Sequence, residues 1–122
     1  MLNRYLMLLG VKRIYEKRAV SDGKRILVDR LWPRGVKKGT QNLDEWMRDV
    51  APSDELRKWF AHDPTKWGEF KSRYRKELSH NRKFNELVEK AKSTDITLVY
   101  SATDTEHNNA VALAEFIKEA TA

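Results

Sequence analysis

The chain has 122 residues, 40% of them apolar, with four Trp, four Tyr, four Phe and no cysteine. That is long enough to bury a core without disulfide or metal support, it fits one domain, and it excludes disulfides, thiolate nucleophiles and cysteine-based zinc sites. The net charge of +6 is local, because residues 1–40 carry eleven Lys or Arg against three acids whereas residues 41–122 carry thirteen against fifteen. Local positive charge favours a phosphate, a carboxylate or a nucleic acid as partner, with a solvated basic face as the bland alternative.

In chain order, the apolar stretch Tyr5 to Leu9 is followed almost at once by Lys12 and Arg13. It falls short of the apolar region of a secretory signal, about 7–15 residues with a small-residue cleavage site, and no other stretch approaches the roughly 20 apolar residues of a membrane span. A soluble, cytoplasmic protein without membrane contact is expected. Val11 to Tyr15 reads as a first strand and Lys24 to Asp29 as a second, with the uninterrupted run Ile26-Leu27-Val28 suited to burial on both faces. Between them, Ser21-Asp22-Gly23 is a turn signal, and the connection is too short for the usual crossover helix, so a hairpin is the simplest expectation.

Beyond a basic loop at Gly35 to Gly39 the apolar spacing changes to 3.6, and four helices are expected. The first is capped by Asn42, with Glu45 three residues later, and presents Leu43, Trp46, Met47 and Val50; Pro52 ends it. Ser53 caps the second, with Leu56, Trp59 and Phe60 inward, and Asp63-Pro64 opens the third, with Trp67, Phe70, Tyr74 and Leu78 inward. The fourth starts near Asn81 and carries Phe84, Leu87, Val88 and Ala91. Ile96 to Tyr100 is another buried strand. A last helix opens between Thr103 and Asn109, where Thr103 and Glu106 have capping-box spacing, and buries Val111, Leu113, Phe116 and Ile117. The fold class expected is therefore α/β: a small three-layer-like domain with a short, mostly parallel sheet of about three strands and about five helices.

Two buried strands joined by a long helical crossover normally lie parallel, which places their C-terminal ends on one edge of the sheet, where α/β folds bind ligands. Asp29 to Gly35 should thus stand beside Ser101 to Asn109. Arg30, Arg34, Asn108 and Asn109 are the candidate ligand-binding residues, with Trp32 on the same edge, and free amides at the opening of the last helix would favour an anion. Lys37 and Lys38 add charge just beyond. Asp29 and His107 are the candidate acid or base, and an ion-paired, turn-fixing Asp29 is the structural alternative. Trp32, Trp46, Trp59 and Trp67 read as core, with stacking on a ligand as the alternative. His62, His80 and His107 lack metal-ligand spacing, so neither a metal nor a cofactor is expected. These residues suit a phosphate-bearing small molecule or nucleotide; the alternative is a nucleic-acid-binding module using the basic first third together with Lys71, Arg75 and Lys76.

Val11 to Tyr15, the run Ile26-Leu27-Val28-Asp29-Arg30-Leu31-Trp32-Pro33-Arg34-Gly35, Ala51-Pro52-Ser53 with Leu56-Arg57, and Thr97 to Tyr100 with Glu106-His107-Asn108-Asn109-Ala110 together resemble the YeaO-like family. That family lies within a wider group catalogued as domain of unknown function 488. The resemblance spans the chain from Val11, making residues 1–122 one such domain with 1–10 as an N-terminal extension. It implies a cytoplasmic prokaryotic setting and a helix between the first two strands, with no established activity. Many of the wider relatives open the last helix with a Cys-His-Arg triplet, where this chain has His107-Asn108-Asn109. The thiol and one arginine are thereby lost, and no chemistry is carried over.

Overall fold

The computed structural model describes residues 7–122; most of the expected extension, residues 1–6, lies outside the described residues. Four strands, β1 (Leu9–Arg13), β2 (Lys24–Leu27), β3 (Glu45–Trp46) and β4 (Ile96–Tyr100), form one sheet in the order β1-β4-β2-β3. Every pairing is parallel. The sheet therefore has one strand more than expected, and β1 and β2 make no hairpin because β4 lies between them. The reason is burial: all five residues of β4 are buried, whereas those of β1, with Lys12 and Arg13 among them, are only half-buried. A strand that is apolar on both faces is most stable at the centre of a parallel sheet.

Four helices follow: α1 (Asp54–Phe60), α2 (Trp67–Leu78), α3 (Arg82–Ser93) and α4 (Asn109–Thr121). Their starts follow local capping chemistry. Ser53 Oγ accepts the Leu56 amide at 3.1 Å, Asn81 Oδ1 that of Phe84 at 3.0 Å and Asn108 Oδ1 that of Val111 at 2.9 Å. Asp63 caps a 3₁₀ turn, Pro64–Lys66, that leads into α2. Thr103 and Glu106 form no capping box, since α4 begins at Asn109 and Asp104 takes the local amides.

The helix expected over Asn42 to Val50 is instead β3 and a 3₁₀ turn, Arg48–Val50. Its four apolar residues do not share a face. Leu43 and Trp46 pack with Leu27 and Val99 on one side of the sheet, and Met47 and Val50 join the helical core on the other. Opposite directions for neighbours 46 and 47 are what a strand imposes. Hydrogen bonds from Asp44 N to Arg25 O (3.0 Å) and Met47 N to Leu27 O (2.9 Å) hold the segment on β2.

The buried apolar residues of α1 to α4 lie on one face of the sheet, with Ile26, Val28, Ile96, Leu98 and Tyr100. The opposite face is covered by the two long connections, 14–23 and 28–44, through Ile14, Trp32, Val36 and Leu43, with Trp46 of β3 beside them. The third layer is thus coil. The connection between β1 and β2 contains a 3₁₀ turn, Val20–Asp22, in place of the helix that the resemblance implies. It is tied to β4 by Thr97 Oγ1, which donates to Asp22 O at 2.8 Å. A fully buried arginine, Arg25, braces this layer.

Candidate functional site

The C-terminal ends of β2 and β4 meet as the parallel pairing requires. Val28 N donates to Val99 O at 3.1 Å, and one residue further Asp29 Oδ2 accepts both the amide (2.9 Å) and the hydroxyl (2.8 Å) of Ser101. Asn109, the first residue of α4, donates Nδ2 to Val28 O at 2.8 Å and to Asp29 Oδ1 at 3.1 Å. The Asp29 carboxylate therefore joins two strands and a helix through neutral donors. It takes part in no ion pair among the described residues, so the turn-fixing arginine partner is not found. Burial pushes its carboxyl above the ordinary aspartate range, against the lowering effect of the Ser101 and Asn109 hydrogen bonds and of nearby His62.

Beyond Asp29 the chain leaves the sheet through Arg30 to Val36. Trp32 Nε1 donates to Val36 O at 2.7 Å, and the turn closes with Val36 N on Pro33 O at 3.4 Å and Gly35 at φ 77°. Gly35 supplies the positive φ that the third position of such a turn needs. The turn holds Arg34 on the rim, with its carbonyl fixed by Tyr15 Oη at 2.8 Å. Its guanidinium has no hydrogen bond or ion pair among the described residues. Arg30 is more committed: Nε donates to Pro52 O (2.8 Å) and Nη2 to Ala51 O (3.3 Å), bracing the entry to α1.

These segments enclose a cleft of about 390 Å³. Asp29, Arg30, Trp32, Arg34, Asn108 and Asn109, six of the seven residues expected at the site, line it. His107 does not. Its Nδ1 lies 3.0 Å from Asp104 Oδ2 and its ring stands edge-on to Trp67, so Asp104 and Trp67 hold the imidazole outside the cleft lining. The expected anion cradle shrinks for a related reason: the Glu106 and His107 amides already donate to Asp104 Oδ1, at 2.9 and 3.0 Å.

Arg57, His62 and Ser101 also line the cleft and were not among the expected site residues. His62 arrives there because α1 ends in two successive left-handed residues, Ala61 (φ 47°) and His62 (φ 57°). Such a pair costs roughly 1–2 kcal/mol per residue, and no local sequence pattern announces it. Arg57 is on α1 one residue after the buried Leu56; the pair Leu56-Arg57 within the family-like segments was its available signal. Among the described residues no three His, Cys, Asp or Glu side chains gather as a metal site, and no helix is long and apolar enough to cross a membrane.

Comparison with known proteins is decisive for kinship. A family model described as "Inactive DUF488-N3 subclade" matches residues 8–122. The chain belongs to this DUF488-N3 subclade. It is 43% identical over 113 residues to the uncharacterised protein YeaO of Escherichia coli, covering 92% of this chain and 98% of that one. It is 39% identical over 107 residues to the uncharacterised proteins Mb3100c of Mycobacterium bovis and Rv3073c of Mycobacterium tuberculosis, covering 88% of this chain and 91% of each of those. No solved structure matches. Within the DUF488-N3 match lie all the residues that line the cleft.

Because the Asp29 carboxyl is shifted upward, the folded protein holds that proton more tightly than the unfolded chain. Its contribution to stability is therefore complete below the unfolded value near pH 3.9 and is lost as pH rises through the folded value. Asp29→Asn, which cannot ionise, is expected to gain stability relative to the unmodified protein as pH is raised from about 3 to about 7. Urea unfolding of both proteins across that range measures the difference, and a difference independent of pH would contradict the shift.

Proposed function

We propose that this is a single cytoplasmic domain that binds a phosphate-bearing small molecule or nucleotide in the cleft, and that it acts by binding and not by catalysis. The observation that carries the reading is the charge of the lining: Arg30, Arg34 and Arg57 against one carboxylate, Asp29. Neither Arg30 nor Arg34 has an acidic partner among the described residues. Guanidinium groups present several donors in a planar fork that matches phosphate oxygens, so unpaired arginines in a concave, largely apolar site favour such a ligand. His107 is held by Asp104, no histidine is hydrogen-bonded to Asp29 among the described residues, and the subclade is described as inactive, all of which favour binding over acid–base chemistry. Cations on the helical layer support a nucleic-acid track less well, since Lys71 is paired with Glu115 at 3.2 Å and Arg75 with Glu119 at 3.1 Å.

Arg34→Ala tests the reading. The turn survives the substitution because the Tyr15 hydrogen bond is made to the Arg34 carbonyl. The apo protein should keep its stability to within about 0.5 kcal/mol, as exposed substitutions usually do. In the unmodified protein a bound phosphate compound at about a hundred times its Kd adds about 2.7 kcal/mol, a shift of several degrees in Tm. Arg34→Ala is expected to abolish that shift. If inorganic phosphate, phosphosugars and nucleotides all leave the Tm of the unmodified protein unchanged, the proposal fails.

A further inference from the structure

We infer that the ligand is a phosphomonoester that also carries a hydroxyl group, its phosphate held by Arg34 and Arg57 and its hydroxyl donated to Asp29 Oδ1. This rests on the phosphate-binding reading and names the chemical class. The first observation is the separation of charges inside one cleft. Asp29 shares a lining with three arginines, yet it is held by Ser101 and Asn109 and pairs with none of them among the described residues. A carboxylate kept apart from adjacent cations leaves both signs available to a ligand. The oxygens differ too. Oδ2 receives two short hydrogen bonds, whereas among the described residues Oδ1 receives only the 3.1 Å bond from Asn109 Nδ2, which is shared with Val28 O. Each carboxylate oxygen has about two lone-pair sites, so Oδ1 retains an acceptor position. A neutral hydroxyl suits this position better than an ammonium, whose attraction to the carboxylate is offset by the three guanidinium groups in the same lining.

The second observation is Arg57. It is held by a single 3.2 Å contact from Nη2 to the exposed Asp54, and its buried Nε has no acceptor among the described residues. An exposed pair of this kind contributes little, and an unpaired buried N–H is unfavourable, so reorientation onto a phosphate offers Arg57 more hydrogen bonds than it makes alone. Arg30, already donating to Ala51 and Pro52, has less to give. The cleft volume of about 390 Å³ suits a phosphosugar or a nucleoside monophosphate.

Isothermal titration of the intact protein at fixed ionic strength with inorganic phosphate, butyl phosphate, ribose 5-phosphate and adenosine 5′-monophosphate decides the matter. The two hydroxyl-bearing esters are expected to bind about tenfold or more tightly than butyl phosphate, the effect of one hydrogen bond to a charged group. Tighter binding of adenosine monophosphate than of ribose 5-phosphate assigns a nucleotide and equal binding a phosphosugar; both outcomes support the inference. Arg57→Gln should weaken both esters about tenfold. Asp29→Asn should reduce the preference over butyl phosphate to about twofold, and the ligand series on the unmodified protein stands even if that variant folds poorly. Equal affinity for butyl phosphate and ribose 5-phosphate overturns the hydroxyl site while leaving the phosphate reading intact. Unchanged affinity in Arg57→Gln overturns the place given to Arg57, and no binding of any of the four overturns both readings.

Discussion

Arg25→Ala is expected to destabilise the protein by about 3–5 kcal/mol, the usual effect of breaking a buried ion pair from one side. Arg25 has no exposed surface, and its guanidinium donates to Asn42 O (2.7 Å), Asp22 Oδ2 (2.8 Å), Ile14 O (3.3 Å) and Glu16 O (3.0 Å). One side chain thus gathers both coil connections that cover the non-helical face of the sheet. Alanine would leave those carbonyls without their donor and Asp22, itself 4% exposed, with Lys12 at 2.7 Å as its remaining side-chain cation. Although burial pushes the Asp22 carboxyl up, hydrogen bonds from Lys12, the Ala19 amide and Arg25 outweigh it and hold the group well below the ordinary aspartate range. Its contribution is therefore present above the ordinary aspartate value and is lost as pH falls through the folded one. In urea unfolding at neutral pH the Arg25→Ala midpoint should drop sharply, with a fall in Tm of about 10–20 °C. Arg25→Lys should recover little, because an ammonium cannot span four acceptors spread over two connections. A loss of less than about 1 kcal/mol would mean that the buried network is energetically neutral.

Gly23→Ala is the second large effect, expected at roughly 3 kcal/mol or more from backbone strain and overlap together. Gly23 sits at φ 61°, ψ −136°, a region that only glycine occupies readily. A Cβ there would lie 2.3 Å from the Asp95 carbonyl oxygen and 2.7 Å from its carbon. Those are backbone atoms, and the same oxygen accepts the Lys24 amide at 2.9 Å, so they cannot retreat without loosening the start of the β2–β4 pairing. Gly35→Ala provides the control. Gly35 also has positive φ, at 77°, but its added Cβ meets nothing within 4 Å, and the cost should stay near 1–2 kcal/mol. Comparable losses for the two variants would show that φ alone, and not contact with Asp95, makes Gly23 necessary.

The cleft depends on the same long-range ties. Asp29 stands beside Ser101 because β2 and β4 are parallel neighbours, an arrangement already implied by two apolar runs joined by a long helical connection. Local spacing is overridden at two other places in the chain. Leu43, Trp46, Met47 and Val50 have helical spacing, yet backbone bonds to Arg25 and Leu27 draw the segment into the sheet and send those side chains to opposite faces. His107 is three residues from Asp104, close enough to be captured by it before any ligand.

Legible in the residues alone was whatever is settled within about one turn or one strand: the cap at Ser53, a helix start near Asn81, the buried runs of β2 and β4, and the positive charge of the first forty residues. Only the tertiary structure decided that β4 is central, that β3 exists, that coil forms the third layer, and that Arg57 and His62 enter the cleft while His107 is excluded from it. The physical reason is range. A cap or an apolar period is satisfied by neighbours three or four positions away, whereas strand order and cleft lining are set by burial and hydrogen bonds between residues such as Asp29 and Ser101, separated by 72 positions.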